Sequence, residues 1–345
     1  MKISEEVSQK IKNMSLLCAI FVVSIHIQWT HDKSLSIGWF LYNAIKGGIA
    51  NIAVPFFFVV SGFFLAQHFD EEGWWKREVT KRVKSLVVPF FIWSMLTLVS
   101  TTPLIIVADL IAHRTFGTSI NVFADCDWFR LFGLDLTDFP LHFPLWYVRC
   151  LFFFVLTSAM FKVFVIRLKY YWIACAFAFL LVCNHLPTEN LREFFRMGYS
   201  ASGVFYFSIG VAIQRFRLTG ASRRMAIICG LVGFALLGIK LLLVYNSWRC
   251  VSVVGKFSLP LLIYFTWHFI SARKLPDWLT SCSFPIFLMH TVLFASIGIV
   301  LKHFPIDGLA KDFAMFLGGI LGSIVIALVL RRYTPRLASV LFGGR

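Results

Sequence analysis

The chain has 345 residues, of which 59% are hydrophobic and 17% aromatic, with 39 Phe and a mean hydropathy of +0.78. These values exclude an ordinary soluble domain and a disordered chain, and they point to a polytopic membrane protein. The formal net charge of +16 does not call for a nucleic-acid partner, because the basic residues fall in short clusters between apolar runs and form no single stripe.

Ten apolar stretches are each long enough to cross a roughly 30 Å hydrocarbon core as a helix. They lie at about 14–30, 47–69, 86–112, 144–166, 170–186, 199–216, 224–247, 252–271, 281–301 and 313–331. The expected fold is all-α, a polytopic membrane bundle of about ten transmembrane helices built by one domain over 1–345. Lys and Arg concentrate in alternate loops, including Lys10 and Lys12, Lys76 to Lys84, and Arg331 and Arg332, which places both termini in the cytoplasm. No small-residue cleavage site precedes His26, so the first helix is expected to be retained.

The first stretch ends in VVSIHIQW, where His26 is the one ionisable group. About twelve residues in, it is expected past the midplane, in the outer half. Ionisable groups in a bilayer are costly and face a bundle interior or a water cavity; a histidine bonded to a neighbouring helix is the plainer alternative. The second stretch carries NIAVPFFFVVSGFF, in which Pro55, Ser61 and Gly62 interrupt a phenylalanine-rich run and permit a bend and a close helix approach. Next, EEGWWKREVTKRVKSLVVP reads as an amphipathic helix over about 71–85 on the cytoplasmic surface, with Trp74 and Trp75 at headgroup level. Its Lys81, Arg82 and Lys84 suit the phosphates of a nucleotide-bearing donor such as coenzyme A, or equally positive-inside anchoring.

The longest loop, about 113–143, carries Asp125, Asp127, Asp135 and Asp138 and is placed outside. In the fourth stretch, HFPLWYVRCLFF sets Arg149 about one turn inside the outer end. It is expected either to pair with a group on another helix, Asp109 being a candidate, or to snorkel outward. Lys240, deep in the seventh stretch, has no assignment. His290, in CSFPIFLMHTVLF, is a second intramembrane histidine. The eight cysteines lack CxxC spacing and define no metal site; Cys126 and Cys250 fall in polar loops and pair only if those loops share an oxidising face.

Five segments, in order, resemble the acyltransferase family 3 membrane proteins of bacteria: VVSIHIQ, VPFFFVVSGFFLA, KRVKSLVVPFFIW, PLWYVRCLFF and SFPIFLMH. The resemblance covers nearly the whole chain. It implies an O-acyltransferase of the bacterial cytoplasmic (inner) membrane that acts on cell-surface carbohydrates. The acyl-CoA donor, acetyl-CoA by default, is a co-substrate, and no bound cofactor or metal is implied. The acceptor is a cell-surface or lipid-linked carbohydrate. Carried onto this chain, His26 is the general base or acyl carrier, and Arg82, Lys84 and Lys81 hold the donor. Arg149, Trp146, His290 and Ser61 serve the acceptor or the developing oxyanion. Three positions depart from the family pattern: Ser15 and Ser85 stand where arginines are usual, and Phe287 replaces a tyrosine. The opposing reading is a transporter or exporter without chemistry, since buried Arg, Lys and His also suit a carrier, although no inverted repeat is evident. A sensor that has lost activity is a third.

Overall fold

The computed structural model describes residues 3–29, 36–111, 127–218, 220, 222–245, 251–301 and 306–344. Among them every regular element is a helix. Cys126, Cys250 and most of the long loop's first half lie outside the described residues.

Helix α1 spans Glu5–His26, with the Ser4 hydroxyl accepting from the Val7 amide at 3.3 Å and Glu5 and Glu6 in the first turn, an arrangement that satisfies orphan donors and suits the helix dipole. The helix therefore starts well before the apolar run. Two polar side chains of its first half, Gln9 and Asn13, are buried and bonded: Gln9 donates to Asn13 at 2.9 Å, and Asn13 donates to the carbonyls of Ser271 and Arg273 at 2.8 and 2.9 Å. His26 is the last helical residue, and the backbone turns extended at Ile27. The apolar stretch therefore runs on past the helix, which His26 closes.

The second stretch enters through short turns at Ile37–Phe40, Leu41–Lys46 and Ile49–Ile52 before α2, Ala53–Ala66. Pro55 sits in the first turn of α2, where its missing N–H costs nothing. The basic segment forms α3, Trp74–Arg82, and continues through a π-type turn, Val83–Val87, into α4, Val88–Ile111. It is therefore continuous with the third apolar helix and not a separate surface helix. Its indoles are held by protein: Trp74 packs on Phe69 with centroids 4.6 Å apart, and Trp75 donates to the Leu156 carbonyl at 3.0 Å.

The fourth stretch is broken into α5, Leu145–Leu156, and α6, Ser158–Leu168, which meet at 66°. At the break, the Thr157 hydroxyl donates to the Phe153 carbonyl at 2.9 Å, a back-bond of the kind that bends helices. Then follow α7 (Tyr170–Val182), α8 (Ala201–Arg215), α9 (Arg223–Tyr245), α10 (Val251–Phe269), α11 (Ser283–Leu301), α12 (Gly308–Tyr333) and a short α13 (Pro335–Leu341) that the hydropathy pattern does not reveal.

Each of the ten apolar stretches holds helix. By length and composition, however, the described residues contain four helices able to cross a membrane, namely Ile37–Ala66, Trp74–Val99, Arg223–Tyr245 and Gly308–Tyr333, or five if the bent α5–α6 pair counts as one span. The outward faces of α9 and α12 carry Leu231, Leu242, Leu321 and Val325, all more than half exposed, as expected of helices solvated by lipid.

Packing fixes the site. Helix α1 lies against both α2 and α11, and α2 makes its tightest crossing with α8. A Cβ at Gly62 would stand 2.2 Å from the Phe207 carbonyl oxygen, and one at Gly210 would stand 1.9 Å from that of Val59. The glycine of the SGF sequence is thus a backbone-contact residue.

Candidate functional site

Because α1 packs on α11, the two histidines meet: the rings of His26 and His290 lie 5.1 Å apart at 30°, with Phe143 edge-on to His26 at 4.9 Å. His290 is fully buried, and its Nδ1 donates to the Ile286 carbonyl at 3.0 Å. Its Nε2 is left without a hydrogen-bond partner among the described residues. A neutral imidazole with Nδ1 as donor presents Nε2 as an acceptor, so an unused lone pair is buried beside His26.

Two cavities share the same three helices at successive levels. One, of about 420 Å³, is lined by Val22, Ile25 and His26 of α1, Val54 and Pro55 of α2, and Trp146 of α5. The other, of about 290 Å³, is lined by Ile11 and Ser15 of α1, Phe57, Val60 and Ser61 of α2, and Tyr147 of α5, together with Arg82 and Phe287. No lining residue is common to both. The rings of Phe57, Tyr147 and Phe287, which line the Arg82 cavity, lie 5.7 to 6.5 Å apart in mutual contact.

The candidate residues divide accordingly. Trp146 joins His26 in the first cavity, while Ser61 falls in the second, its hydroxyl 3.2 Å from that of Tyr147. Of the donor candidates, Arg82 alone lines the second cavity, and it is ion-paired to buried Glu78 at 3.6 Å. Lys81 stands 4.0 Å from the same carboxylate, and both Lys81 and Lys84 are exposed. Ser15, at the place of a usual arginine, lines this cavity too. Ser85 does not; its hydroxyl is buried, and the C-terminal turn at Gly343 packs against its backbone.

Arg149 lines neither cavity. It is buried and donates to the backbone carbonyls of Gly133, Asp135, Asp138 and Met197, so the expectation of an acidic partner or of snorkelling gives way to a carbonyl cage that anchors the loop before α5. The Asp109 side chain lies outside the described residues. In that loop, hydrogen bonds from the Thr137 hydroxyl and amide hold the Asp135 carboxyl below its ordinary range.

Two features escaped the sequence reading. His142 is buried, stacks on Trp93, donates from Nε2 to the Leu288 carbonyl at 2.8 Å and pairs through Nδ1 with Thr97 at 2.9 Å. It thereby clamps α4 to α11 two residues from His290. Lys256 and Arg196 line the His26 cavity together with Lys240. An ionisable residue at a loop–helix junction resembles any interfacial charge, so only three-dimensional convergence distinguishes these.

The described residues contain no group of three or more His, Cys, Asp or Glu side chains able to hold a metal. A half-buried histidine that lines one cavity and packs on a second, fully buried histidine gives this all-helical bundle a proton-exchanging group in its interior. A family model for an acyltransferase domain, acyltransferase family 3, matches residues 11–332, nearly the whole chain; the protein belongs to this family and is a membrane acyltransferase. Comparison with curated proteins and with solved structures returned no match.

Proposed function

We propose that the protein transfers an acyl group, acetyl by default, from acyl-CoA bound at the Arg82 cavity to a carbohydrate hydroxyl in the His26 cavity. The observation that carries this reading is the arrangement of the two cavities at successive levels of α1, α2 and α5, with His26 lining one of them and packed on His290. Ser15 and His26 are eleven positions apart on α1, roughly 16 Å along a helix, a separation suited to an extended pantetheine arm. The Lys/Arg bias assigns the Arg82 end to the cytoplasm and both termini with it, within a frame of ten spans in the bacterial inner membrane. The acceptor is then extracytoplasmic, cell-surface or lipid-linked carbohydrate.

In this mechanism His26 takes the proton of the acceptor hydroxyl as its oxygen attacks the thioester carbonyl. The tetrahedral intermediate collapses with loss of the coenzyme A thiolate, which the proton neutralises. His290, whose ring lies 5.1 Å from that of His26, packs against the base and helps to hold its orientation. Phosphate binding falls to Arg82, with Lys81 and Lys84 at its approach. Direct transfer requires no acyl-histidine; the covalent route through His26 conserves the same atoms in two steps.

The test follows label from radioactive acetyl-CoA in inside-out vesicles, comparing wild type with His26→Gln at matched expression. Loss of transfer by about 10²- to 10⁴-fold is expected. Wild-type rates in the variant would remove the base role, and donor left unconsumed by wild type would favour a carrier.

A further inference from the structure

The His26 cavity carries more positive charge than transfer to a neutral sugar requires. Lys240, Lys256 and Arg196 line it, and among the described residues no carboxylate does. Lys46 lies within electrostatic reach of His26 from the same side. The lysines sit on different helices, α9 and α10, and converge: a Cβ at Gly255, the neighbour of Lys256, would stand 3.4 Å from the Lys240 ammonium. Each ammonium spends one donor on a backbone carbonyl, Lys240 on Gly47 and Lys256 on Leu180, the latter at 2.9 Å. An ammonium has three donors, so both retain hydrogens free for a ligand, and no described carboxylate pairs with either. Arg196 pairs with Glu193 at 3.1 Å at the exposed rim. In the Arg82 cavity the one lining cation has a carboxylate beside it, Glu78 at 3.6 Å, which it shares with Lys81.

Unneutralised charge in a bundle interior is costly and is retained where a ligand supplies the counter-charge. We infer that the acceptor is an anionic carbohydrate, whose phosphate or carboxylate is held by Lys240 and Lys256 while its hydroxyl meets His26 and a sugar face lies on Trp146. This rests on the acyltransferase reading of the same cavity and adds the substrate class. Asn51 and Ser258 complete the polar lining. The Asn51 amide donates to the Lys46 carbonyl at 2.9 Å, leaving its own carbonyl oxygen for a sugar hydroxyl.

The experiment uses the full chain in lipid nanodiscs, with both faces open, and three probes: methyl glucoside, methyl glucuronide and glucose 1-phosphate. Binding is read as a shift in thermal unfolding, and transfer as label from radioactive acetyl-CoA. At least one anionic probe should stabilise the protein where the neutral one does not, and the responding probe tells carboxylate from phosphate. Lys240→Gln/Lys256→Gln should weaken that binding about tenfold or more, as loss of charge-assisted bonds implies. Lys240→Arg/Lys256→Arg, which keeps the charge, should restore it and separates charge from packing damage. Equal stabilisation by all three probes, no stabilisation by either anion, or an anion shift unchanged in the Gln variant overturns the inference. Anion binding without any transfer would instead refute the acyltransferase reading and leave the anion site in place.

Discussion

At the scale of single residues, the site is organised by what each polar group lacks. His290 keeps one nitrogen unpartnered beside His26, whereas the two terminal nitrogens of Arg149 donate to four carbonyls and hold a loop in place. Both are buried ionisable groups in apolar sequence, and periodicity treats them alike; only the neighbours separate a chemical role from an anchoring one. Ser15 offers a sharper test. It lines the Arg82 cavity at a place where an arginine is usual, so Ser15→Arg should add a phosphate contact and lower the KM for acetyl-CoA about tenfold, the worth of one charge-assisted bond, with little change in kcat. An unchanged or higher KM would mean that this cavity does not receive the donor. The loop caged by Arg149 adds a pH dependence: the lowered Asp135 contributes stability above the ordinary carboxylate range, and that contribution is lost as pH falls through its lowered value.

At the scale of elements, each of the ten apolar stretches holds helix, but hydropathy misread several ends, and four or five of the described helices satisfy the length and composition of a span. The start of α1 was hidden because Gln9 and Asn13 are polar yet buried and bonded, and the bend between α5 and α6 depends on one threonine. The SGF and histidine segments were legible as a site because their residue types are unusual in an apolar helix. The convergence of Lys240 and Lys256 was not, since they lie on separate helices and sequence spacing carries no trace of it. The α2–α8 crossing gives the element-scale prediction. Gly210→Ala places a methyl against the Val59 carbonyl, should cost about 1–3 kcal/mol, and should lower the unfolding midpoint in detergent. A midpoint equal to wild type would show that the crossing relaxes freely.

At the scale of the whole molecule, the cavities are lined jointly by helices that satisfy the length and hydropathy of a span, Ile37–Ala66, Trp74–Val99 and Arg223–Tyr245, and by the polar-ended α1 and the bent α5. Topology is open to direct measurement: cysteines placed at Glu72 and Asp138 should react with an impermeant maleimide from opposite faces, and labelling of both from one face would overturn the proposed orientation. The aromatic cluster of the Arg82 cavity has one further consequence. A membrane voltage is worth about 2.3 kcal/mol per elementary charge per 100 mV, and two hollows at successive levels of the same three helices, once joined, would form a conduit for protons. Close ring packing of Phe57, Tyr147 and Phe287 adds electrical insulation on the Arg82 side. Phe57→Ala should make cells that express the protein leak protons and lose membrane potential, whether or not a single acyl group is transferred.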